Sequence, residues 1–136
     1  MIAQLTGLYA GLLVLLLLVL AARVTLLRIK LQVGTGHGND PELARAIRVH
    51  GNAIEWILPM LVVFLVAELD GASRIFLHVC GVTFFASRVA HAVALSRTTK
   101  ESRGRFWGMA GTWIVIVVLS LWDIWAITRL GMRFFS

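Results

Sequence analysis

An all-α membrane protein, a bundle of four transmembrane helices, is the fold class this sequence predicts. Hydrophobic residues make up 59% of its 136 positions, against about 45–50% in a usual soluble domain. They gather in four apolar runs, roughly 5–27, 46–67, 72–95 and 106–130. Each run has about 20 residues or more, enough to cross a ~30 Å hydrocarbon layer at ~1.5 Å per residue. The runs fill most of the chain and leave no room for a soluble domain. The expectation is therefore a single membrane domain over 1–136, with helices at about 5–27, 42–67, 72–96 and 106–130.

Helix one carries a nearly featureless Leu/Val run from Leu12 to Leu20, as a lipid-facing helix would. It lacks the basic start, short apolar core and small-residue cleavage site of a removable signal, so it reads as a permanent helix. Loop one contains Gly34-Thr-Gly-His-Gly-Asn-Asp-Pro41. Its glycines lack the preceding strand and the spacing of a phosphate-binding loop, so it reads as a flexible connector. Asn39 or Asp40 followed by Pro41 marks the start of helix two, an N-cap with proline at the first helical position, and Glu42 adds a favourable charge in the first turn. Pro59 lies inside this helix, where it is either a proline tolerated in a membrane span or the opening of a cavity beside Glu55. Glu68 to Ser73 form a short turn. Helix three carries Cys80, Ser87, Arg88 and His91. A lone cysteine excludes an internal disulfide and reads as a small buried hydrophobe. Helix four carries Trp107, Trp113, Trp122 and Trp125, with those near its ends as interface anchors, and Asp123 as an interfacial or paired acid. His37 and His78 read as loop or interface residues, and no metal-ligand spacing is present.

The net charge of +6 would suggest nucleic acid in a soluble protein. Here its placement follows membrane topology. Arg23, Arg28, Lys30, Arg45 and Arg48 surround loop one, and Arg97, Lys100, Arg103 and Arg105 surround loop three. Arg74, Arg129 and Arg133 are left for the opposite side. The positive-inside rule then puts loops one and three in the cytoplasm and both termini outside, with no polynucleotide partner required.

Arg48, Asn52 and Glu55 are the chemically informative residues. Their i, i+4, i+7 spacing puts them on one face of helix two. An ionisable side chain at bilayer depth costs roughly 2.5–3.5 kcal/mol on insertion scales, so it normally faces a partner or a wet cavity. Arginine offers a planar fork for a carboxylate, asparagine both a donor and an acceptor, and glutamate a seat for an ammonium group. Such a set suits a zwitterion such as a small peptide. Alternatively it is an inter-helix network that only fixes packing. Arg88, deep in helix three, needs a partner of its own, and Glu55 is the carboxylate at similar depth.

The run Arg48-Val-His-Gly-Asn52-Ala-Ile-Glu55, followed by Pro59, resembles the Arg-x-x-x-Asn-x-x-Glu signature in helix two of the MAPEG family. These are membrane-associated proteins of eicosanoid and glutathione metabolism, among them microsomal glutathione transferases and leukotriene C4 synthase. Length, four spans, a polar first loop and a basic third loop match along nearly the whole chain, and His50 and His91 look like the family's bacterial branch. The resemblance implies a homotrimer in a bacterial inner membrane, with sites between subunits that open to the cytoplasm. It implies glutathione as co-substrate, no metal, and a lipophilic small-molecule substrate. Arg48, Asn52 and Glu55 would bind glutathione. His50 stands where eukaryotic members often have a glutamine that reaches a neighbouring site, and Arg28 or Lys30, at the end of helix one, would meet the tripeptide from that neighbour too. Arg88 matches a family arginine. His91 and Leu95 stand where eicosanoid members have tyrosines. Arg103, or alternatively Arg105, corresponds to the arginine that activates the thiolate near the start of helix four. The only tyrosine is Tyr9, far from these positions, so a helix-three tyrosine hydroxyl is absent and His91 is left to supply that hydrogen bond.

The implied activity is a glutathione transferase or peroxidase. Two rivals come from other classes. A small proton-coupled multidrug transporter also has four short helices, but usually carries its glutamate in helix one, where this chain has none. A non-catalytic membrane scaffold would use the polar stripe as structural glue.

Overall fold

The computed structural model describes residues 3–98 and 102–134, without the side chains of 130–134. Lys100 and the Arg133 side chain lie outside the described residues. The chain forms four α-helices: α1 (Gln4–Leu31), α2 (Pro41–Leu69), α3 (Arg74–Arg97) and α4 (Arg103–Phe134). All four are long and apolar enough to cross a membrane.

The helix starts follow from local chemistry. The Asp40 carboxylate accepts from Leu43 N at 2.7 Å, and Pro41 occupies the first turn, where a missing N–H costs nothing. Ser73 Oγ accepts from Phe76 N at 3.2 Å at the start of α3, and Ser102 Oγ from Arg105 N at 3.4 Å at the start of α4. α2 runs unbroken through Pro59, whose side is exposed.

The helices run up and down. α1 packs on α2 and α3, and α4 packs on α3 and α2; among the described residues α1 and α4 do not touch. The core draws on every helix: Leu13, Ile57, Met60, Phe64, Phe84 and Leu119 are fully buried. α1 buries only a narrow seam, Leu5, Tyr9, Leu13 and Leu20, and exposes Leu12, Leu15, Leu18 and Val19. That is the shape of a helix with lipid around most of its girth.

α3 and α4 approach closely through small residues. A Cβ added at Gly108 would meet His91 Cβ at 2.8 Å and Ser87 O at 2.9 Å, and one added at Gly104 would meet Ala94 Cβ at 3.0 Å. One added at Gly111 would run into the Ser87 hydroxyl. Small residues let membrane helices pack backbone to backbone, which lipid-facing leucines do not.

At the loop-two end the chain satisfies its own polar groups. The Glu68 carboxylate accepts from Leu5 N at 2.8 Å, Thr6 N at 2.6 Å and Thr6 Oγ1 at 2.7 Å. It thereby caps the first turn of α1, where unsatisfied N–H groups and the helix dipole favour an anion. The sequence suggests only the end of a helix at Glu68. Arg74 donates to Gln4 Oε1 at 3.5 Å. Buried Tyr9 crosses to α3: its hydroxyl lies 3.0 Å from His78 Nδ1 and 3.2 Å from the His78 carbonyl oxygen. Its ring rests on Gly81, where any side chain would collide with it. His78, expected at a loop or interface, is exposed near the loop-two end of α3 and also holds the Tyr9 hydroxyl.

Candidate functional site

The opposite end of the bundle, around loops one and three, is less self-contained. Arg23 pairs with Glu42 at 3.6 Å across loop one. Arg28 Nη1 donates to the Gly34 carbonyl at 3.1 Å and reaches the Val33 carbonyl at 3.5 Å, so its guanidinium holds the loop. Lys30 is exposed near the end of α1, and His50 is half-buried on α2.

On α2 the stripe splits by depth. Arg48 Nη1 donates to Glu55 Oε1 at 3.4 Å, and the two side chains are 66% and 53% exposed. This pair spans two turns along the outside of the helix. Asn52, between them, is 6% exposed and faces inward. Its Oδ1 accepts from Arg88 Nη2 at 2.7 Å. Arg88 is 1% exposed, and its Nη1 donates to Thr112 Oγ1 at 3.3 Å. Thr112, fully buried on α4, passes its own proton to the Gly108 carbonyl at 2.8 Å. Glu55, the partner the sequence suggests for Arg88, is hydrogen-bonded by Arg48 and reaches Arg88 only through its charge, while the hydrogen bonds of Arg88 go to two neutral oxygens from α2 and α4. Arg88 Nε is buried and has no hydrogen-bond partner. Charge-assisted hydrogen bonds of ~1.5–3 kcal/mol each are of the size needed to offset the ~2.5–3.5 kcal/mol insertion cost of an arginine.

One turn further along α3, His91 is 5% exposed. Its Nδ1 lies 3.2 Å from the Arg105 carbonyl oxygen, tying α3 to the first turns of α4. A cavity of about 260 Å³ opens here, lined by His91, Ser102, Arg105, Phe106 and Met109. Its lining is mixed: Phe106 and Met109 are apolar, and His91, Ser102 and Arg105 are polar or basic. Arg105 belongs to it, whereas Arg103 is exposed on the first turn of α4 and is not among the lining residues. Beside the stripe, Trp56 and Trp113 lie with ring centroids 6.1 Å apart, joining α2 to α4.

The structure therefore brings together Arg48 with Glu55, Asn52 with Arg88, and His91 with Arg105. Arg28 reaches loop one through Nη1, and Lys30 is exposed near the end of α1. Sequence reasoning missed Thr112. Its only signal is the spacing Gly108-x-x-x-Thr112, which allows a threonine hydroxyl to bond back to the carbonyl four residues earlier.

Comparison with known proteins agrees with this architecture. The inner membrane protein YecN of Escherichia coli K12 is 36% identical over 120 residues, covering 88% of this chain and 90% of that protein. YecN of Escherichia coli O6:H1 matches to the same extent. The MAPEG family matches over residues 6–125, a stretch that includes Arg48, Asn52, Glu55, Arg88, His91, Arg103, Arg105 and Thr112. This chain, an integral membrane protein of four spanning helices, belongs to the MAPEG family.

Proposed function

We propose that the protein is a glutathione-binding inner-membrane protein that acts as a glutathione transferase or peroxidase on lipophilic electrophiles. The observation that carries this reading is the Arg48–Glu55 pair, two opposite charges left exposed on a membrane helix and separated by an inward-facing amide. Glutathione is a zwitterion with carboxylates and an ammonium group. A carboxylate matches the Arg48 fork and the ammonium matches Glu55, so binding exchanges one ion pair for two, and the second carboxylate of the peptide is left for the basic residues around the site. Arg105 lines the cavity beside His91, and nearby positive charge favours a thiolate over a thiol. Arg105 is the better placed of the two arginines for that task, since it lines the cavity and Arg103 does not.

Glutathione would supply the nucleophilic sulfur. In conjugation that sulfur bonds to an electrophilic carbon and the leaving group departs. In peroxide reduction it takes the outer peroxide oxygen, an alcohol leaves, and a second thiol then displaces water to give the disulfide. Arg48, Asn52 and Glu55 hold the peptide, with His50 and with Arg28 or Lys30 of a neighbouring copy at its edges. Because α1 and α4 are not neighbouring helices among the described residues of one chain, a lipid-facing entrance between them requires α1 of one copy beside α4 of another. This supports the homotrimer. The basic residues around loops one and three support a site that faces the cytoplasm and termini that face outside.

Thermal unfolding of the purified protein against glutathione and a panel of other anions tests the reading. Binding stabilises by RT ln(1 + [L]/Kd), about 2.7 kcal/mol at 100-fold excess over Kd. Conjugation of a generic electrophile should accompany it. An absence of both signals, or the same signals in Arg48→Ala, would remove this function.

A further inference from the structure

We infer that Arg88 is a positioning residue that locks the Asn52 side-chain amide in one orientation, so that the site presents a hydrogen-bond donor, and never an acceptor, between Arg48 and Glu55. The inference rests on the glutathione-binding reading and specifies what the ligand must place there.

Arginine has five N–H donors and no acceptor. The Asn52 atom 2.7 Å from Arg88 Nη2 must therefore be the carbonyl oxygen. A flipped amide would set N–H against N–H in a site where both residues are almost fully buried. Arg88 itself has little freedom to follow a flip. Its other terminal nitrogen is held by Thr112, whose hydroxyl spends its single proton on Gly108 O and so meets Arg88 only as an acceptor. The clamp takes one oxygen from α2 and one from α4, and its arginine comes from α3.

With its oxygen so engaged, Asn52 has only its –NH2 left to offer. Among the described residues no hydrogen bond involves that nitrogen, and it is not among the buried polar atoms lacking a partner. An acceptor is what it can recognise: a carboxylate or a peptide carbonyl oxygen. The stripe thus reads, in order, cation, neutral donor, anion. A ligand fits when it presents an acceptor at the first two levels and an ammonium at the third. Arg88 is 1% exposed and does this through Asn52, without itself meeting the ligand.

Asn52→Asp separates this role from simple packing. The aspartate keeps the shape and gives Arg88 a stronger, charged acceptor, but replaces the donor with a second oxygen. The expected result is a thermal midpoint equal to or above wild type, together with glutathione binding weakened at least about tenfold, the scale of one lost hydrogen bond to a charged group. Thr112→Ser should keep wild-type binding, and Thr112→Val should weaken it several-fold by loosening the clamp. Glutathione binding by Asn52→Asp at wild-type affinity would overturn the inference while leaving the functional reading intact. So would a lowered midpoint for Asn52→Asp, or equal binding by the two Thr112 variants. A wild-type protein that does not bind glutathione would remove both.

Discussion

The two ends of the bundle handle polar groups differently. At the loop-two end, Glu68 collects three donors from the first turn of α1, and the Tyr9 hydroxyl finds its partners on His78. At the loop-one and loop-three end, Arg48 and Glu55 face outward with more than half their side-chain surface exposed, and the Asn52 amide nitrogen has no partner among the described residues. One end is finished by the chain itself. The other leaves polar groups open, as the proposed binding of glutathione requires. Along α2, polar groups at one end are spent on helix packing, and those at the other are the ones the proposed function uses for recognition.

Substitutions at the two ends should therefore separate stability from binding. The largest stability loss is expected for Glu68→Ala, which strands the donors of Leu5 and Thr6 and should cost about 3 kcal/mol, read by thermal unfolding in detergent. Gly81→Ala forces the Tyr9 ring from its seat and should cost about 1–3 kcal/mol, the usual range for overpacking. Tyr9→Phe removes only the hydroxyl contact with His78 and should cost about 1 kcal/mol. In all three, the glutathione affinity of the surviving folded protein should match wild type; a loss of affinity parallel to the loss of stability would dissolve the distinction between the ends. Arg48→Ala should move stability least, by less than about 1 kcal/mol, because exposed ion pairs are worth little. Yet it should abolish stabilisation by glutathione, which a midpoint titration would show.

Much of the scaffold can be read from residue order. The four apolar runs announce the spans, Asp40-Pro41 announces the start of α2, and the i, i+4, i+7 spacing puts Arg48, Asn52 and Glu55 on one stripe. What such spacing does not reveal is depth within the stripe. Asn52 turns inward to Arg88 of α3 while the flanking charges stay exposed, a difference set by which arc of α2 the other helices cover. The partners of Arg88 depend on which α4 residue the Gly104, Gly108 and Gly111 contact brings beside it, a matter of helix register that no local pattern encodes. Glu68 escapes notice for the same reason: its partners are backbone N–H groups more than 60 positions earlier.

The separation of α1 from α4 has a consequence for assembly. α1 lies on one flank of the bundle and α4 on the other, and the two flanks carry different side chains. Any association that seats the α1 flank of one copy against the α4 flank of the next joins unlike surfaces, head to tail. A two-fold pair matches both surfaces only where they share one face of each copy, and here they lie on opposite flanks. Head-to-tail contacts are all satisfied only when the copies close into a ring, and the flat geometry of a bilayer favours closure within the plane over growth into a helical filament.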